Sequence, residues 1–267
     1  MDILMKLSII TINYNNHNGL KKTIDSMISQ SYKDYEWIVI DGGSTDGSKE
    51  LIEQYSQYMF YHVSEPDKGI YNAMNKGILV SHGEYLLFLN SGDYLFDKNV
   101  LERVAPLLKN KDIYVGRINS IGMDNVYEEK QSDFSPEGIL RKLSFSWIPH
   151  QASFFKRTVF SEYGLYRDDM KIISDWWLYF RSLVIGNASA ESISFVIANY
   201  DTSGISATQK SVPSKEYRII MQDYPCINTL FQFYGQNLEI VEALRGNRTF
   251  FFLFRVYFYI YRKLFKK

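Results

Sequence analysis

The stretch WIVIDGGSTDGSKEL, residues 37–51, ends an apolar run on a carboxylate and follows it with two glycines. The run up to Ile40 has the pattern of a buried strand, and Asp41 closes it. The glycines permit positive φ angles or a close approach of the backbone to a ligand, and the residues from Ser44 to Asp46 suit the cap of a following helix. Alone, this pattern fits a capped strand–turn–helix corner as well as a ligand-binding strand end. It is neither a GxGxxG loop nor a Walker loop.

Strand-like and helix-like patterns alternate over the first hundred residues. The strand-like runs are LSIITI (7–12), EWIVID (36–41), MFYHV (59–63) and YLLFLN (85–90). Between them, apolar residues recur at helical spacing, for example over residues 20–28, 48–58 and 70–78. This alternation predicts an α/β fold with a doubly wound, mostly parallel sheet.

Polar clusters follow each of these four predicted strands. They are Asn13–Asn16, Asp41, Glu65–Lys68 and Ser91–Asp93. Ligands of doubly wound sheets bind at the carboxyl ends of the strands. We therefore expect one ligand site that is built from all four clusters.

The second half of the chain is less regular. Strands are predicted over residues 113–118, 152–157 and 192–200, and helices over 174–186 and beyond Val212. Upstream of these, Asp97 is expected to cap a helix that runs through Leu108.

The composition limits the class of protein. Of the 267 residues 46% are hydrophobic, which is enough for a sizeable core, and 30 basic residues balance 30 acidic ones, so a nucleic-acid partner is not expected. The single cysteine, Cys226, excludes an intramolecular disulfide and a cysteine-built metal site and favours a reducing, cytoplasmic compartment. The sequence contains no uncharged apolar run of about 18 residues, so a membrane-spanning helix is not expected. We interpret the first residues as a strand rather than a signal peptide.

Four segments, taken in order, resemble the family 2 glycosyltransferases of the GT-A fold. They are SIITINYNN (8–16), DGGSTDG (41–47), EPDKGIYNAMNKGI (65–78) and NSGD (90–93). The match covers Leu7 to about Asp97 and is most similar to bacterial O-antigen, capsule and colanic-acid enzymes.

This resemblance implies a nucleotide-diphosphate-sugar donor, usually a UDP-sugar. Thr11, Asn13 and Asp41 would hold the base and ribose, and Asp67 would approach the donor. Asp93 would bind the Mg²⁺ or Mn²⁺ ion that bridges the phosphates, since carboxylate oxygens suit these ions. Ser91 is expected on the donor side, where it replaces the first acid of the usual DxD motif.

Two segments of the second half resemble the acceptor side of the same family. PHQASFF (149–155) offers His150 and Gln151, and ISDWWLYF (173–180) offers Asp175 as the catalytic base, followed by Trp176. Asp175 also fits an N-cap, and His150 also fits a hydrogen-bonded structural histidine; both alternatives stay open at this point.

We predict a catalytic domain over residues 1–210, with a nucleotide-sugar-binding half (1–97) and an acceptor-side half (98–210). A helical extension follows over 211–267. Its tail, 247–267, combines aromatic and basic residues, which suits a helix at a membrane surface as well as a core or homo-oligomer interface helix.

The predicted function is inverting transfer of a sugar to a saccharide acceptor in the synthesis of a bacterial surface polysaccharide. The resemblance implies a polyprenyl-diphosphate-linked acceptor and thus peripheral contact with the cytoplasmic face of the inner membrane. The alternatives are a non-catalytic binding module for nucleotide sugars or glycans and a sugar-1-phosphate nucleotidyltransferase. The nucleotidyltransferase is disfavoured because no Gly-rich, basic loop follows the first strand.

Overall fold

A computed structural model describes residues 5–121, 133–202, 204, 212–225 and 256. Its strands form one sheet in the order β3-β2-β1-β4-β7-β6-β8-β5. The strands are β1 (Leu7–Asn13), β2 (Tyr35–Asp41), β3 (Tyr61–Ser64), β4 (Tyr85–Phe88), β5 (Tyr94–Leu95), β6 (Ile113–Ile121), β7 (Ser153–Lys156) and β8 (Ala190–Asp201).

Helices cover both faces of this sheet. They are α1 (His17–Ile28), α2 (Ser48–Tyr55), α3 (Ile70–Leu79), α4 (Val100–Val104), α5 (Pro136–Phe145), α6 (Thr158–Tyr163), α7 (Ser174–Tyr179) and α8 (Val212–Asp223). A wider π-helical segment, Phe180–Ile185, continues α7, and a short 3₁₀ turn, His150–Ala152, precedes β7.

The first four strands are parallel, as the alternation predicts. β1 lies between β2 and β4, and β3 is outside β2. The register pairs Asn13 with Asp41 and Asp41 with Ser64, so the last residues of three strands lie side by side. The polar clusters therefore meet at one edge of the sheet, where ligands of such sheets bind.

The second half of the sheet is mixed. β7 is antiparallel to β4 and β6, whereas β6 and β8 are parallel. The two-residue strand β5, which the sequence does not predict, directly follows Asp93 and pairs with β8. This pairing brings the end of β8 to the same edge as the four clusters.

Two apolar clusters fill the space between sheet and helices. Alternate residues of β1 enter different clusters: Ile9 packs on the side of α1, α2 and α4, whereas Ile10 packs on the side of α3 and α7. This explains the unbroken apolar runs of the central strands, since both faces are buried. It also places α3 and α7 on the same face of the sheet.

The predicted cap at Asp97 is wrong by two residues. Asn99 is the N-cap of α4, and the Asp97 side chain instead accepts a hydrogen bond from the Asn99 N–H at 2.8 Å and pairs with Arg103. The regular α-helix ends at Val104, because Pro106 follows in a tighter 3₁₀ turn, Ala105–Leu107.

The helical extension is represented by α8, which confirms a helix beyond Val212. Apart from Val256, the aromatic and basic tail 247–267 lies outside the described residues. Among the residues that the structure does describe, no helix has the length and apolar character needed to span a membrane.

Gly77 lets α3 approach β1, so Gly77→Ala tests this packing. A Cβ at this position would lie 2.5 Å from Cγ2 of Ile10. Overpacking of this kind lowers the free energy of unfolding by about 1–3 kcal/mol. The better helix propensity of alanine offsets up to about 1 kcal/mol of this loss. We expect the free energy of unfolding, measured by urea denaturation, to fall by about 1–2 kcal/mol. The control Leu79→Ala, at a side chain that is 73% exposed, should change it little.

Candidate active site

Asp41 is buried at the end of β2 and is saturated with hydrogen bonds. Its Oδ1 accepts from Asn13 Nδ2 at 2.7 Å and from Ser44 Oγ at 2.5 Å, and its Oδ2 accepts from the Ser44 N–H at 2.9 Å and from Ser64 Oγ at 2.6 Å. Burial opposes ionisation, but these donors outweigh it and lower the pKa of Asp41 below its ordinary value. Asp41 is therefore an anion that organises three strand ends.

The two glycines after Asp41 make room for the loop after β3. A Cβ on Gly42 would lie 2.7 Å from Oδ2 of Asp67, and Gly43 has a φ of 81° and packs against Pro66. Asp67 in turn accepts from the Gly69 N–H at 2.7 Å, immediately before α3. The glycines thus bring Asp67 against the turn that begins at Asp41.

Asn16 links the first cluster to the fourth. Its Oδ1 caps α1 by accepting from the Gly19 N–H at 3.1 Å, and its Nδ2 donates to the carbonyl of Ser91 at 3.0 Å. The predicted donor-side residue Ser91 is therefore held beside the polar end of β1.

Asp93 is a buried carboxylate with few donors. It is 4% exposed, and its Oδ1 accepts from the Asp201 N–H at 2.9 Å. Burial raises the pKa of Asp93 to about 7, with a further contribution from the charge of Asp201, while the Asp201 N–H, His150 and Gln151 act in the opposite direction. The Asp201 carboxylate lies close to Gly92, where a Cβ would be 3.1 Å from its Oδ2.

The Asp175 carboxylate belongs to a row of side chains that are connected by hydrogen bonds. His150 Nδ1 is 3.0 Å from Asp175 Oδ2, and His150 Nε2 is 3.2 Å from Asn90 Nδ2. Because a carboxylate oxygen can only accept, the Nδ1–H of His150 donates to Asp175 Oδ2. Sequence reasoning missed Asn90, which is the first residue of the NSGD segment.

Tyr71 is a second residue that the sequence does not single out. Its hydroxyl lies 3.0 Å from Asp175 Oδ1 and 2.5 Å from the carbonyl oxygen of Ile172. Burial, reinforced by the charge of Asp175, raises the pKa of Tyr71 well above its ordinary value, so it remains a neutral donor.

The polar residues of IYNAMNKGI explain how α3 reaches Asp175. Asn75 makes two hydrogen bonds with the backbone of Tyr166, and Asn72 donates to Asp168 at 3.1 Å. Together with Tyr71 they attach α3 to the segment that leads into α7. The polar residues Asn72 and Asn75, at helical spacing, are the sequence signal of this attachment.

Three buried amide oxygens at this edge have no hydrogen-bond partner among the described residues. They belong to Asn13, Asn90 and Gln151, which are neighbours of Asp41, His150 and Asp93, respectively. Buried polar atoms are normally paired. All three oxygens lie beside the carboxylates and the histidine described above.

Two predicted site residues are enclosed in the protein instead of joining this network. Thr11 is fully buried, and its hydroxyl accepts from the indole N–H of Trp37 at 3.0 Å. Trp176 is 4% exposed, donates to the carbonyl of Leu143 and stacks on Phe180. Their contacts with donor and acceptor stay predictions.

The alternative of Asp175 as an N-cap is wrong. Ile173 is the N-cap of α7, and Asp175 is the second residue of the helix, where its Oδ1 accepts from the Trp176 N–H at 2.8 Å. The contacts of His150 with Asn90 and Asp175 fit a hydrogen-bonded structural histidine as well as a site residue, so its acceptor-side role stays a prediction.

Comparison with known proteins identifies a family. The family model described as glycosyl transferase family 2 matches residues 8–181. An uncharacterized glycosyltransferase of Mycobacterium tuberculosis is 33% identical over 202 residues, which are 74% of this chain and 76% of that protein. A PGL/p-HBAD biosynthesis glycosyltransferase of Mycobacterium bovis is 26% identical over 216 residues, or 74% and 77% of the two chains.

Solved structures show the same fold. The crystal structure of S. aureus TarS has a TM-score of 0.63 at 18% identity, and the match covers 74% of this chain but only 37% of that one. A shorter TarS chain in complex with UDP-GlcNAc has a TM-score of 0.61 at 20% identity, with 74% and 58% covered. From the family match, the relatives and the GT-A type architecture, the chain belongs to the family 2 glycosyltransferases.

Proposed function

We propose that this glycosyltransferase transfers a sugar from a UDP-sugar to a saccharide hydroxyl with inversion at C1. The observation that carries the proposal is the Asp175 carboxylate, held by His150 and Tyr71 at the sheet edge that also presents Asp41 and Asp93. A base and a candidate cation-binding carboxylate at one edge of the sheet are what such a displacement requires.

The donor side supports a nucleotide. The unpaired Oδ1 of Asn13 offers an acceptor to an N–H or O–H group of the base or ribose. Asp41 holds Asn13 in place and already accepts four hydrogen bonds, so a base N–H would bind Asp41 only by replacing a hydroxyl donor. UDP is our choice of nucleotide because the TarS structures include complexes with UDP and with UDP-GlcNAc.

The chemistry of Asp93 fits Mg²⁺ or Mn²⁺. A buried carboxylate with a raised pKa lacks compensating positive charge, and the nearby Asp201 carboxylate and the unpaired Gln151 Oε1 are further hard oxygen atoms. A fold relative, a mannosyltransferase from Pyrobaculum calidifontis, is known in complex with GDP-Man and Mn²⁺, at a TM-score of 0.54. When bound, the cation would neutralise charge that develops on the leaving diphosphate.

Asp175 acts on the acceptor. Its carboxylate takes the proton of the attacking hydroxyl while the oxygen forms a bond to C1, and the bond from C1 to the diphosphate oxygen breaks on the opposite side. His150 and Tyr71 hold the carboxylate during this step, and its Oδ2 faces only the His150 N–H among the described donors, which leaves that oxygen a lone pair for the acceptor proton.

Our proposal for the acceptor rests on the family resemblance. We propose a lipid-linked saccharide acceptor in the synthesis of a bacterial surface glycan, with residues 247–267 in contact with the cytoplasmic face of the membrane. The relatives named PGL/p-HBAD biosynthesis glycosyltransferase support a role in a biosynthetic pathway. Membership of the family 2 glycosyltransferases removes the support for the alternative of a nucleotidyltransferase. The other alternative, a non-catalytic binding module, is distinguished by assay, because such a module would release no UDP from a UDP-sugar.

Asp175→Asn is expected to lower the rate of UDP release from the preferred UDP-sugar by about 10²–10⁴-fold, because the amide cannot accept the proton. UDP binding, measured by calorimetry, should be unchanged. The control Asp169→Asn removes an exposed carboxylate that pairs with Arg167 and should keep nearly the wild-type rate. A near-wild-type rate in Asp175→Asn would refute the assignment of the base.

Asp93→Ala is expected to remove the metal-dependent part of nucleotide binding. In a thermal-shift screen of nucleotide sugars, Mn²⁺ should increase the stabilisation of the wild type by its donor, and a saturating ligand at about 100 times its dissociation constant contributes about 2.7 kcal/mol. The control Asp97→Ala, four residues further along the chain, should respond to Mn²⁺ like the wild type. If Mn²⁺ increases the stabilisation of Asp93→Ala by the donor as much as it does in the wild type, the metal role of Asp93 is excluded.

The raised pKa of Asp93 makes the stability of the metal-free protein depend on pH. Because the folded-state pKa, about 7, exceeds the unfolded value, near 3.8, the contribution of Asp93 is fully present below pH 4 and is lost as pH rises to 7. In EDTA, the free energy of unfolding of the wild type relative to Asp93→Asn should fall by about 1.4 kcal/mol per pH unit in this window. A constant difference between the two proteins from pH 4 to pH 8 would contradict the shift.

A further inference from the structure

A buried carboxylate outside the region matched by the family model holds the segment in front of Asp175. Glu216 lies on α8 and is 6% exposed. Its Oε1 accepts from the Lys171 N–H at 2.5 Å, and its Oε2 accepts from the N–H groups of Ile172 and Ile173 at 3.0 Å each. Three consecutive backbone donors on one carboxylate form a charge-assisted clamp.

The clamped residues lead directly into the helix that carries Asp175. Ile173 is the N-cap of α7, and its carbonyl accepts the Trp177 N–H at 2.9 Å, which forms the first turn of the helix. Glu216 therefore fixes the backbone from which the base projects, two residues further along the chain.

The same segment shares a hydrogen-bond partner with the base. The carbonyl of Ile172, whose N–H binds Glu216, accepts from the Tyr71 hydroxyl, which also contacts Asp175 Oδ1. The Tyr71 hydroxyl has one proton, for which the Ile172 carbonyl and Asp175 Oδ1 compete, so a shift of Ile172 would change the contact of Tyr71 with the carboxylate. The clamp acts on Asp175 through the backbone and also through Tyr71.

Aromatic contacts hold α8 in the place that this role requires. Tyr217 packs edge-on against Trp176, with ring centroids 4.9 Å apart, and Tyr224 packs on Trp177 at 4.8 Å. Both tryptophans belong to α7, so α8 and α7 are attached independently of Glu216. Replacement of the carboxylate alone should leave α8 docked while it loosens the segment 171–173.

We propose that Glu216 is a positioning residue for the catalytic base, which sets the orientation of Asp175 without touching the substrate. This inference rests on the proposed function of Asp175 as the base. It assigns to the first helix of the extension a part in the chemistry of the transfer. It predicts a defect in turnover and none in nucleotide binding, because the clamp lies on the side of Asp175 and not at Asn13 or Asp41.

The test compares Glu216→Gln with Asp223→Asn, a control on the same helix whose carboxylate pairs with Arg167 in an exposed ion pair. In Glu216→Gln, the side-chain amide retains one acceptor oxygen but places an NH₂ group among the three backbone N–H donors. We expect kcat for UDP release from the preferred UDP-sugar to fall by about 10- to 100-fold, the size of effect caused by a misplaced catalytic group. KM for the donor and the UDP dissociation constant should stay at the wild-type values, and the control should keep the wild-type kcat.

A double-mutant cycle separates positioning from a general structural role. If Glu216 acts through Asp175, Glu216→Gln should have no further effect on the residual rate of Asp175→Asn. If Glu216→Gln does not fold, Glu216→Asp replaces it, because the shorter side chain keeps the charge but cannot reach all three N–H groups, and the same loss of kcat is expected.

The outcomes distinguish the two proposals. A wild-type kcat in the folded Glu216 variant, or an equal loss in the Asp175→Asn background, would overturn the positioning role alone. A full rate in Asp175→Asn would instead refute Asp175 as the base, and this inference with it.

Discussion

The burial of carboxylates away from water is the constraint on which this site depends. A buried charge is tolerated only where hydrogen-bond donors replace the lost hydration. Asp41 receives four such bonds, and Glu216 receives three from the backbone. Glu36, buried near the start of β2, is held by Ser8 and by the N–H groups of His82 and Gly83. These acids are fully occupied, and their function is to organise the chain around them.

Asp93 and Asp175 differ from those structural acids in how completely they are satisfied. Asp93 has fewer donors and a second carboxylate nearby, and its pKa is raised. Asp175 keeps one oxygen with a single described side-chain contact, from His150. The difference in hydrogen bonding thus separates acids that hold the fold from the two acids that we propose act on ligands. Amide oxygens without a partner among the described residues belong to Gln151, next to Asp93, and to Asn90, which contacts His150.

Much of this arrangement can be predicted from local patterns. The parallel order of β1 to β4 follows from alternating periodicities, and the meeting of Asn13, Asp41 and Asp93 at one edge follows from parallel strands that end together. The assignment of Asp175 and His150 needed family resemblance, because no local pattern distinguishes a base from a cap.

Other features depend on contacts between distant parts of the chain. Tyr71 and Asp175 are 104 residues apart, and Glu216 meets Ile173 from a helix 43 residues further on. The insertion of β7 between β4 and β6 follows from pairing in the folded sheet, which short apolar runs do not specify. Local sequence indicates which segments form helices and strands, but not which of these elements pack against each other. Side chains that act across the fold can therefore be identified only from the folded structure.

His150 and Gln151 are adjacent, yet one holds Asp175 and the other contacts Asp93. Adjacent residues of one short 3₁₀ turn, His150–Ala152, therefore contact both acids, so a displacement of this turn would change both contacts at once.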